Sequence, residues 1–349
     1  LSLRRQRQMC IRDRSGNLWI AAFNEGLSMI DLNRPLIQNY SFPSIREKTG
    51  FVTNIKNIYE DKDGDLWIDQ NRWGVGIFTP KSNKLLFCTD IPSLKNINNL
   101  KNISCITSVS SIDEIWLGSE YYSEICRLKK NKDRIEFLGT LKLSDFVENP
   151  GFPRFFYEDS KHNLWVVTTK KILVKPADEK QLQDTNFPLM DITGIKEGKD
   201  GTLWISTRKQ GVYNVIVSPG LTFEEKKIRN LTAQTDGLIN DNIGAICVDD
   251  SGLVWMGSQE GDVFTYDPQT KKVENLSNMF DMLEEGIYNI IMDQLGHIWI
   301  STNKRVVEYD PKNGGIMDYS TMGDVTVNSF MPNSCLLYTS DAADEGLGV

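Results

Sequence analysis

Residues 249–268 read DDSGLVWMGSQEGDVFTYDP, and this stretch decides the fold. It begins with a turn at residues 249–252, continues through an apolar segment around Trp255, and ends at a second turn that contains Pro268. Asp, Ser and Gly favour tight turns, and short apolar segments between such turns indicate β-strands. The stretch therefore predicts consecutive antiparallel strands joined by tight turns.

The same context surrounds seven of the eight tryptophans in the chain. Successive members of the series are 48, 49, 49, 39, 51 and 44 residues apart. The seven residues are Trp19, Trp67, Trp116, Trp165, Trp204, Trp255 and Trp299. A period of about 40 to 50 residues made of strands and turns is typical of propeller blades. The sequence thus predicts an all-β protein, a β-propeller of about seven four-stranded blades.

The turn before each tryptophan supports this prediction. The residue three positions before the tryptophan is glycine in five repeats, Asp113 in the third and His162 in the fourth. These residue types tolerate the positive φ of a hairpin turn best. An aspartate that begins the turn can accept hydrogen bonds from its own turn backbone. The aspartates in question are Asp61, Asp159, Asp249 and Asp293.

A large rigid aromatic side chain at a fixed strand position fills the gap between twisted neighbouring sheets. The tryptophan series is therefore predicted to be structural, and a ligand platform is the alternative. Replacing one member by alanine should cost about 3–5 kcal/mol of stability.

Both ends of the chain differ from the repeats. Residues 4–14 read RRQRQMCIRDR and residues 335–345 read CLLYTSDAADE. Codons can be chosen that relate the two as reverse complements, as in a transposon-type adapter from a sequencing library. We expect residues 1–14 and 334–349 to be translated adapter. Residues 15–333 are then the propeller, a fragment of a longer chain.

Charge and apolar patterning exclude two classes of protein. The net charge is −8, and without the five basic and four acidic residues of the two end segments it is about −9. Such an acidic chain lacks the electrostatic footprint of a nucleic-acid binder. No apolar run reaches the roughly 18 residues that a membrane-spanning helix needs.

The cysteines outside the end segments are Cys88, Cys105, Cys126 and Cys247. They are widely spaced, with no CxxC pair and no nearby histidine, so the spacing predicts no metal site. Buried thiols in strands are the expected state, and a disulfide stays open as the alternative if the domain is exported.

The pattern of residues 249–268 resembles the two-component regulator propeller repeat. Such repeats form the sensor region of bacterial hybrid two-component histidine kinases. Residues 235–242, TDGLINDN, resemble that family's segment between blades, and residues 328–334 resemble a segment near the end of its second propeller. The resemblance covers nearly all of residues 15–333. The repeats at Trp116 and Trp165 depart from the pattern because both lack the glycine after the tryptophan strand.

The resemblance implies a ligand-sensing module on the periplasmic face of the inner membrane. Family members carry two tandem seven-bladed propellers, and many detect oligosaccharides released from glycans. It also implies a membrane anchor and a histidine kinase outside this segment, and a homodimer formed through the full-length protein. The seven repeats either close one ring or straddle two.

The loops after the tryptophan strands are the predicted ligand-bearing loops, because in a propeller they surround the mouth of the central channel. Sugar rings pack against aromatic faces, and their hydroxyl groups bond to charged or amide groups. The candidate ligand-binding residues are Arg72, Trp73, Tyr121, Tyr122, Arg208 and Arg305. The alternative is that these residues are ordinary exposed hairpin tips.

A glycan lyase or hydrolase is one alternative function, and it needs a positioned base or a pair of carboxylates. The two histidines, His162 and His297, both precede a tryptophan strand in the turns, away from the predicted mouth. We therefore predict no catalytic residue, cofactor or metal. A protein-binding scaffold is the second alternative. A concave polar and aromatic pocket at the mouth would favour a small ligand, and a flat apolar patch would favour a protein partner.

Overall fold

The computed structural model describes residues 9–12, 18–22, 26–31, 36–40, 55–70, 74–131, 134–188, 191–280, 285–302 and 304–319. In these residues, 28 strands form seven four-stranded sheets, called blades 1 to 7 in chain order. Within each sheet, every strand pairs antiparallel with the strand that follows it in the sequence. This is the arrangement of propeller blades, and the predicted all-β fold class is confirmed.

Blade 1 contains β1 (Met9–Arg12), β2 (Leu18–Ala22), β3 (Gly26–Asp31) and β4 (Leu36–Tyr40), and β1 lies in the end segment expected to be adapter. Blade 2 contains β5 (Ile55–Glu60), β6 (Leu66–Gln70), β7 (Gly74–Thr79) and β8 (Lys84–Phe87). Blade 3 contains β9 (Ile103–Val109), β10 (Glu114–Ser119), β11 (Glu124–Asn131) and β12 (Arg134–Lys142). Blade 4 contains β13 (Pro153–Glu158), β14 (Leu164–Thr168), β15 (Ile172–Lys175) and β16 (Gln183–Asp184).

Blade 5 contains β17 (Ile192–Glu197), β18 (Leu203–Thr207), β19 (Val212–Val215) and β20 (Ile228–Leu231). Blade 6 contains β21 (Ile243–Val248), β22 (Val254–Ser258), β23 (Val263–Asp267) and β24 (Lys272–Asn275). Blade 7 contains β25 (Ile287–Met292), β26 (Ile298–Thr302), β27 (Val306–Asp310) and β28 (Gly315–Asp318). Two short helices, α1 and α2, span Ala233–Asp236 and Ser277–Phe280. Short 3-10 helices span Pro80–Ser82, Cys88–Asp90, Asn98–Leu100, Ser110–Ile112, Leu143–Asp145 and Glu225–Lys227.

The first strand of each blade is the innermost one. First strands of neighbouring blades contact each other at β1 and β5, β5 and β9, β9 and β13, β17 and β21, and β21 and β25. The fourth strands β24 and β28 are largely exposed. Since strands alternate in direction, the loops between second and third strands and the segments before each first strand lie at one end, here called the mouth end. The turns between first and second strands lie at the opposite end, here called the turn end.

The core lies between blades. The tryptophans at positions 67, 116, 165, 204, 255 and 299 are all buried. Trp165 of blade 4 stacks on Phe223 of blade 5, with ring centroids 5.6 Å apart and an interplanar angle of 20°. The tryptophan series therefore fills the gap between neighbouring sheets. The side chain of Trp19 lies outside the described residues.

The turns at the turn end have the predicted backbone. The six described residues three positions before a tryptophan all have positive φ, between 53° at Asp113 and 92° at Gly252. The aspartate at the start of the turn accepts hydrogen bonds from its own turn, as at Asp159, whose Oδ1 accepts from the backbone of residues 161 and 163. Both predictions about these turns are confirmed.

The structure adds a second role for the same aspartate. The other carboxylate oxygen accepts a hydrogen bond from the indole Nε1 of the tryptophan six residues later, at 2.8–2.9 Å in blades 2, 4, 6 and 7. One carboxylate thus fixes both the turn and the orientation of the buried tryptophan. In blade 3 this acceptor is Glu114, which bonds Trp116 at 3.0 Å and Arg127 at 2.6 and 2.7 Å. Burial opposes the charge of Glu114, but the bonds from Arg127 and Trp116 outweigh it and hold its pKa below its usual value.

The four cysteines outside the end segments are buried and carry free thiols. Burial raises the pKa of Cys88 and Cys105 to about 12 and that of Cys126 and Cys247 to about 11. The expectation of buried strand thiols is confirmed for Cys105, Cys126 and Cys247, whereas Cys88 is buried in the 3-10 helix that follows β8.

We expect the folded protein to resist thiol labelling at neutral pH, because the thiolate is the reactive form and both burial and the raised pKa suppress it. The measurement is the reaction of a Cys10→Ser/Cys335→Ser variant with an aromatic disulfide reagent. Four thiols per chain should react after denaturation and almost none before it. Rapid labelling of the native protein would contradict this packing.

Candidate functional site at the mouth end

The innermost strands carry a β-bulge close to the mouth end. In blades 2 to 7 the pairing of the first strand with the second skips one residue at the second position of the first strand. The bulge residues are Lys56, Ser104, Arg154, Thr193, Gly244 and Tyr288. A bulge breaks the in-out alternation of a strand and redirects one side chain, often beside binding sites. The bulge residues differ in chemistry from blade to blade, while the strands around them stay largely apolar.

Sequence reasoning missed these bulge positions. A single variable residue directly after the apolar residue that begins the first strand was the signal that could have found them. The bulge itself is a property of strand pairing, so this signal marks the position without showing that the strand is bulged there.

Arg154, Asp191 and Arg208 meet where blade 4 adjoins blade 5. A terminal guanidinium nitrogen of Arg154 lies 3.9 Å from Asp191 Oδ1, and Arg208 Nε lies 3.8 Å from Asp191 Oδ2. The Arg154 side chain is 38% exposed, that of Arg208 is 39% exposed and that of Asp191 is 50% exposed. The backbone N–H of Arg208 donates to the Asp191 carbonyl at 2.9 Å, which fixes the two residues side by side.

Neither ion pair is a hydrogen bond, because both distances exceed the usual donor–acceptor range. Arg208 Nε is buried and has no hydrogen-bond acceptor in the part of the chain that the structure describes. The cluster therefore holds guanidinium donors that the described residues do not satisfy. Arg208 was predicted from sequence, whereas Arg154 and Asp191 were not.

Blade 6 contributes an amide to the same end. Asn242 Nδ2 donates to Glu260 Oε1 at 2.8 Å, and the backbone of Gln259 donates to the Asn242 carbonyl at 3.0 Å. Asn242 Oδ1 is buried and accepts no hydrogen bond among the described residues. The bulge residue Gly244 makes room for the Gln259 amide, since a Cβ there would lie 2.1 Å from Gln259 Nε2.

The remaining predicted ligand residues are placed as follows. Tyr121 and Tyr122 are 58% and 56% exposed in the loop between β10 and β11. Arg305 Nε lies 3.1 Å from Glu285 Oε2, and that oxygen also accepts from Thr302 Oγ1 at 2.7 Å. Arg305 is thus held by a carboxylate of its own blade. Residues 71–73, with the predicted Arg72 and Trp73, lie outside the described residues.

The turn end holds a charged cleft of about 150 Å³ between blades 2 and 3. Lys130 reaches into it from β11 and lies 2.6 Å from Asp61, 2.6 Å from Asp65 and 3.1 Å from Asp63. Lys62 pairs with Asp113 at 2.5 Å on the same wall. These charges satisfy one another, so the cleft serves as a contact between blades.

His297 lies at the turn end of blade 7, and its Nδ1 is 2.5 Å from Glu308 Oε1 and 3.8 Å from Asp293 Oδ2. The three ligand atoms lie within 4.8 Å of one another, close enough to suggest a metal site. The same two positions, however, hold a cross-strand pair in other blades. Those pairs are Glu114 with Arg127 and Thr202 with Asn214. Because the pairing recurs around the blades, we interpret His297 and Glu308 as part of the fold.

No helix in the described ranges has the length and apolar character to cross a membrane.

Comparison with known proteins gives one match by sequence and several by fold. The sequence profile of the "Two component regulator propeller" family matches residues 237–260, from the end of α1 to the loop after β22. No curated protein matches the chain significantly.

Among solved structures, a streptogramin B lyase superposes with a TM-score of 0.62 and 16% identity, over 86% of this chain and 92% of that one. A virginiamycin B lyase from Staphylococcus aureus gives a TM-score of 0.61 and 18% identity, over 85% of this chain and 95% of that one. The extracellular domain of a protein assigned as a hybrid two-component system of B. thetaiotaomicron gives a TM-score of 0.54 and 18% identity, over 92% of this chain and 46% of that domain. This chain therefore spans about half of that domain. At these identities the likeness is one of fold.

Proposed function

Because the chain is a β-propeller that carries a two-component regulator propeller repeat, we propose that it is the ligand-sensing module of a hybrid two-component signalling protein. Its ligand is a glycan-derived oligosaccharide, and it works on the periplasmic face of the inner membrane. The membrane anchor and the histidine kinase lie outside this segment, and the full-length protein pairs as a homodimer. The single observation that carries the proposal is the repeat at residues 237–260, which starts and ends at the mouth end.

The chemistry of the mouth end supports a saccharide ligand. The exposed Tyr121 and Tyr122 offer aromatic faces, and Arg154, Asp191 and Arg208 offer polar groups that the fold leaves incompletely bonded. Ligand sites combine such surfaces with a few polar groups that fix orientation. Ligand binding transmits a signal only if it favours one arrangement of the propellers or of the dimer over another.

A lyase is the second candidate, because two lyases share the propeller fold with this chain. The sequence contains two histidines, and the structure places both of them, His162 and His297, in turns at the turn end. Neither is available as a base at the mouth end. This placement favours the sensing function.

Thermal-shift measurements on the chain with a panel of glycan-derived oligosaccharides test the proposal. A ligand at 100 times its Kd is expected to add about 2.7 kcal/mol to the free energy of unfolding and to be recovered unchanged. Consumption of the sugar would establish the lyase instead. If the folded protein binds none of the oligosaccharides, a protein partner is the favoured alternative.

We expect a Tyr121→Ala/Tyr122→Ala variant to bind the responding oligosaccharide about ten-fold or more weakly, because two aromatic faces are lost. The free energy of unfolding should change by less than about 0.5 kcal/mol, since both side chains are exposed. Isothermal titration calorimetry measures the first effect and chemical denaturation the second. Leu295→Ala, an equally exposed change at the turn end, is the control and should leave binding intact. Unchanged affinity in the double variant would remove the two tyrosines from the site.

A further inference from the structure

The mouth end of blades 4 and 5 brings several cationic side chains together on a chain with a net charge of −8. The cationic side chains there are Arg154, Lys170, Arg208 and Lys209. The carboxylates in the adjoining segments are Asp145, Glu148, Asp191 and Asp241. Lys171, in the same loop as Lys170, is already paired with Asp184. The arginines among these cations are donors that an anionic group can bind.

Asp191 does not satisfy the hydrogen-bond donors of the two arginines. Each of its oxygens faces one guanidinium group at 3.8–3.9 Å, beyond hydrogen-bond distance. Each guanidinium group keeps donors that Asp191 does not engage, so a second carboxylate beside Asp191 can accept hydrogen bonds from both arginines. Arginine binds carboxylates through paired, charge-assisted hydrogen bonds. A ligand carboxylate would also supply the acceptor that the buried Arg208 Nε lacks among the described residues.

Asn242 adds a second requirement for the ligand. The backbone N–H of Gly211 donates to the Asp241 carbonyl at 2.9 Å, which ties the loop carrying Arg208 to the segment carrying Asn242. The buried Asn242 Oδ1 needs a donor, and a carboxylate has none. A sugar hydroxyl supplies one.

We infer that the mouth end of blades 4 to 6 binds a saccharide that carries a carboxylate, a uronic acid residue, with the carboxylate bonded to Arg154 and Arg208 beside Asp191 and a hydroxyl on Asn242. This inference rests on the proposed function and names the chemical class of its ligand.

The test is isothermal titration calorimetry of the full chain with oligosaccharides of galacturonic, glucuronic and mannuronic acid, each beside its neutral counterpart. At least one uronate should bind ten-fold or more tightly than its neutral counterpart, and the preference should shrink as salt is raised. Arg154→Gln or Arg208→Gln should weaken that binding about ten-fold or more. Arg208→Lys keeps the charge but loses the Nε donor, and should also weaken it. Arg134→Gln, on the exposed outer strand β12, is the matched control and should bind like the parent protein.

The outcomes separate this inference from the proposed function. If a neutral oligosaccharide binds as tightly as its uronate and the arginine variants bind it normally, the uronate inference is overturned and saccharide sensing stands. If sulfate or acetate binds as tightly as any uronate, the site is a simple anion site and the inference is again overturned. If no saccharide binds to the folded chain, both fail. Thermal denaturation of each variant, expected within about 2 °C of the parent, verifies that a loss of binding is not a loss of fold.

Discussion

Replacing Trp165 by alanine is expected to lower the free energy of unfolding by about 3–5 kcal/mol. Trp165 is 0% exposed, and its ring stacks on Phe223 of the next blade. Its indole Nε1 donates to Asp159 Oδ2 at 2.9 Å. The substitution removes the contact between two blades and leaves a cavity that rigid sheets fill poorly. Urea denaturation followed by circular dichroism measures the change.

Two control variants divide this loss into its parts. Trp165→Phe keeps most of the aromatic volume and removes the indole donor, so it should cost only about 1–2 kcal/mol. Tyr121→Ala removes an exposed aromatic side chain and should change stability by less than about 0.5 kcal/mol. A Trp165→Ala protein as stable as the Tyr121→Ala protein would show that the blades are not held together by the tryptophan series.

Lys130→Met is expected to lower the free energy of unfolding by about 3–5 kcal/mol, because it removes the cation that pairs with the buried Asp61 and with Asp65. The Lys130 side chain is only 7% exposed, and it lies within 3.1 Å of three aspartates of the neighbouring blade. Asp61 in that cluster also accepts hydrogen bonds from the backbone N–H of Asp63 in its own turn and from the indole Nε1 of Trp67. Lys129 provides the matched control, since it is the preceding residue on β11 but is 36% exposed and lies 3.7 Å from Asp113. Lys129→Met should cost less than about 1 kcal/mol.

The pH dependence of the Lys130→Met effect follows from the sign of the pKa shift. Burial opposes the charge of Lys130, but the bonds to Asp61 and Asp65 outweigh it and raise its pKa above the ordinary value of 10.5. A raised pKa means that the folded state holds the proton more tightly than the unfolded state. The stabilisation is therefore complete below about pH 10, where both states are protonated, and is lost as the pH rises through the folded-state pKa. The difference between parent and variant should be constant from pH 7 to about pH 9.5 and shrink above it. A difference that grows with alkaline pH would contradict this assignment.

Local sequence accounts for the part of the fold that was predicted correctly. The Asp-Gly turn before Trp255 contains all the residues that determine its backbone, and the same is true of the turn with His162, whose φ is +62°. Hydrogen bonds within four residues and the preference of few residue types for positive φ decide such turns. The hydrogen bond from Trp165 Nε1 to Asp159 also joins residues close in sequence, but it depends on how the next blade orients the indole, and it was not predicted.

The period of the tryptophans fixed the class of fold by itself, because a repeated strand pattern of this length can bury its apolar faces only against copies of itself. Contacts between different repeats were decided by the tertiary structure alone. Lys130 meets Asp61 across 69 residues, and Arg154 and Arg208 approach Asp191 from two different blades. The repeat places equivalent residues at equivalent positions, but side chains that meet across a blade boundary belong to different positions of the repeat. Their pairing depends on the packing angle of the sheets and on the bulges in the innermost strands, neither of which is encoded by nearest neighbours in the chain.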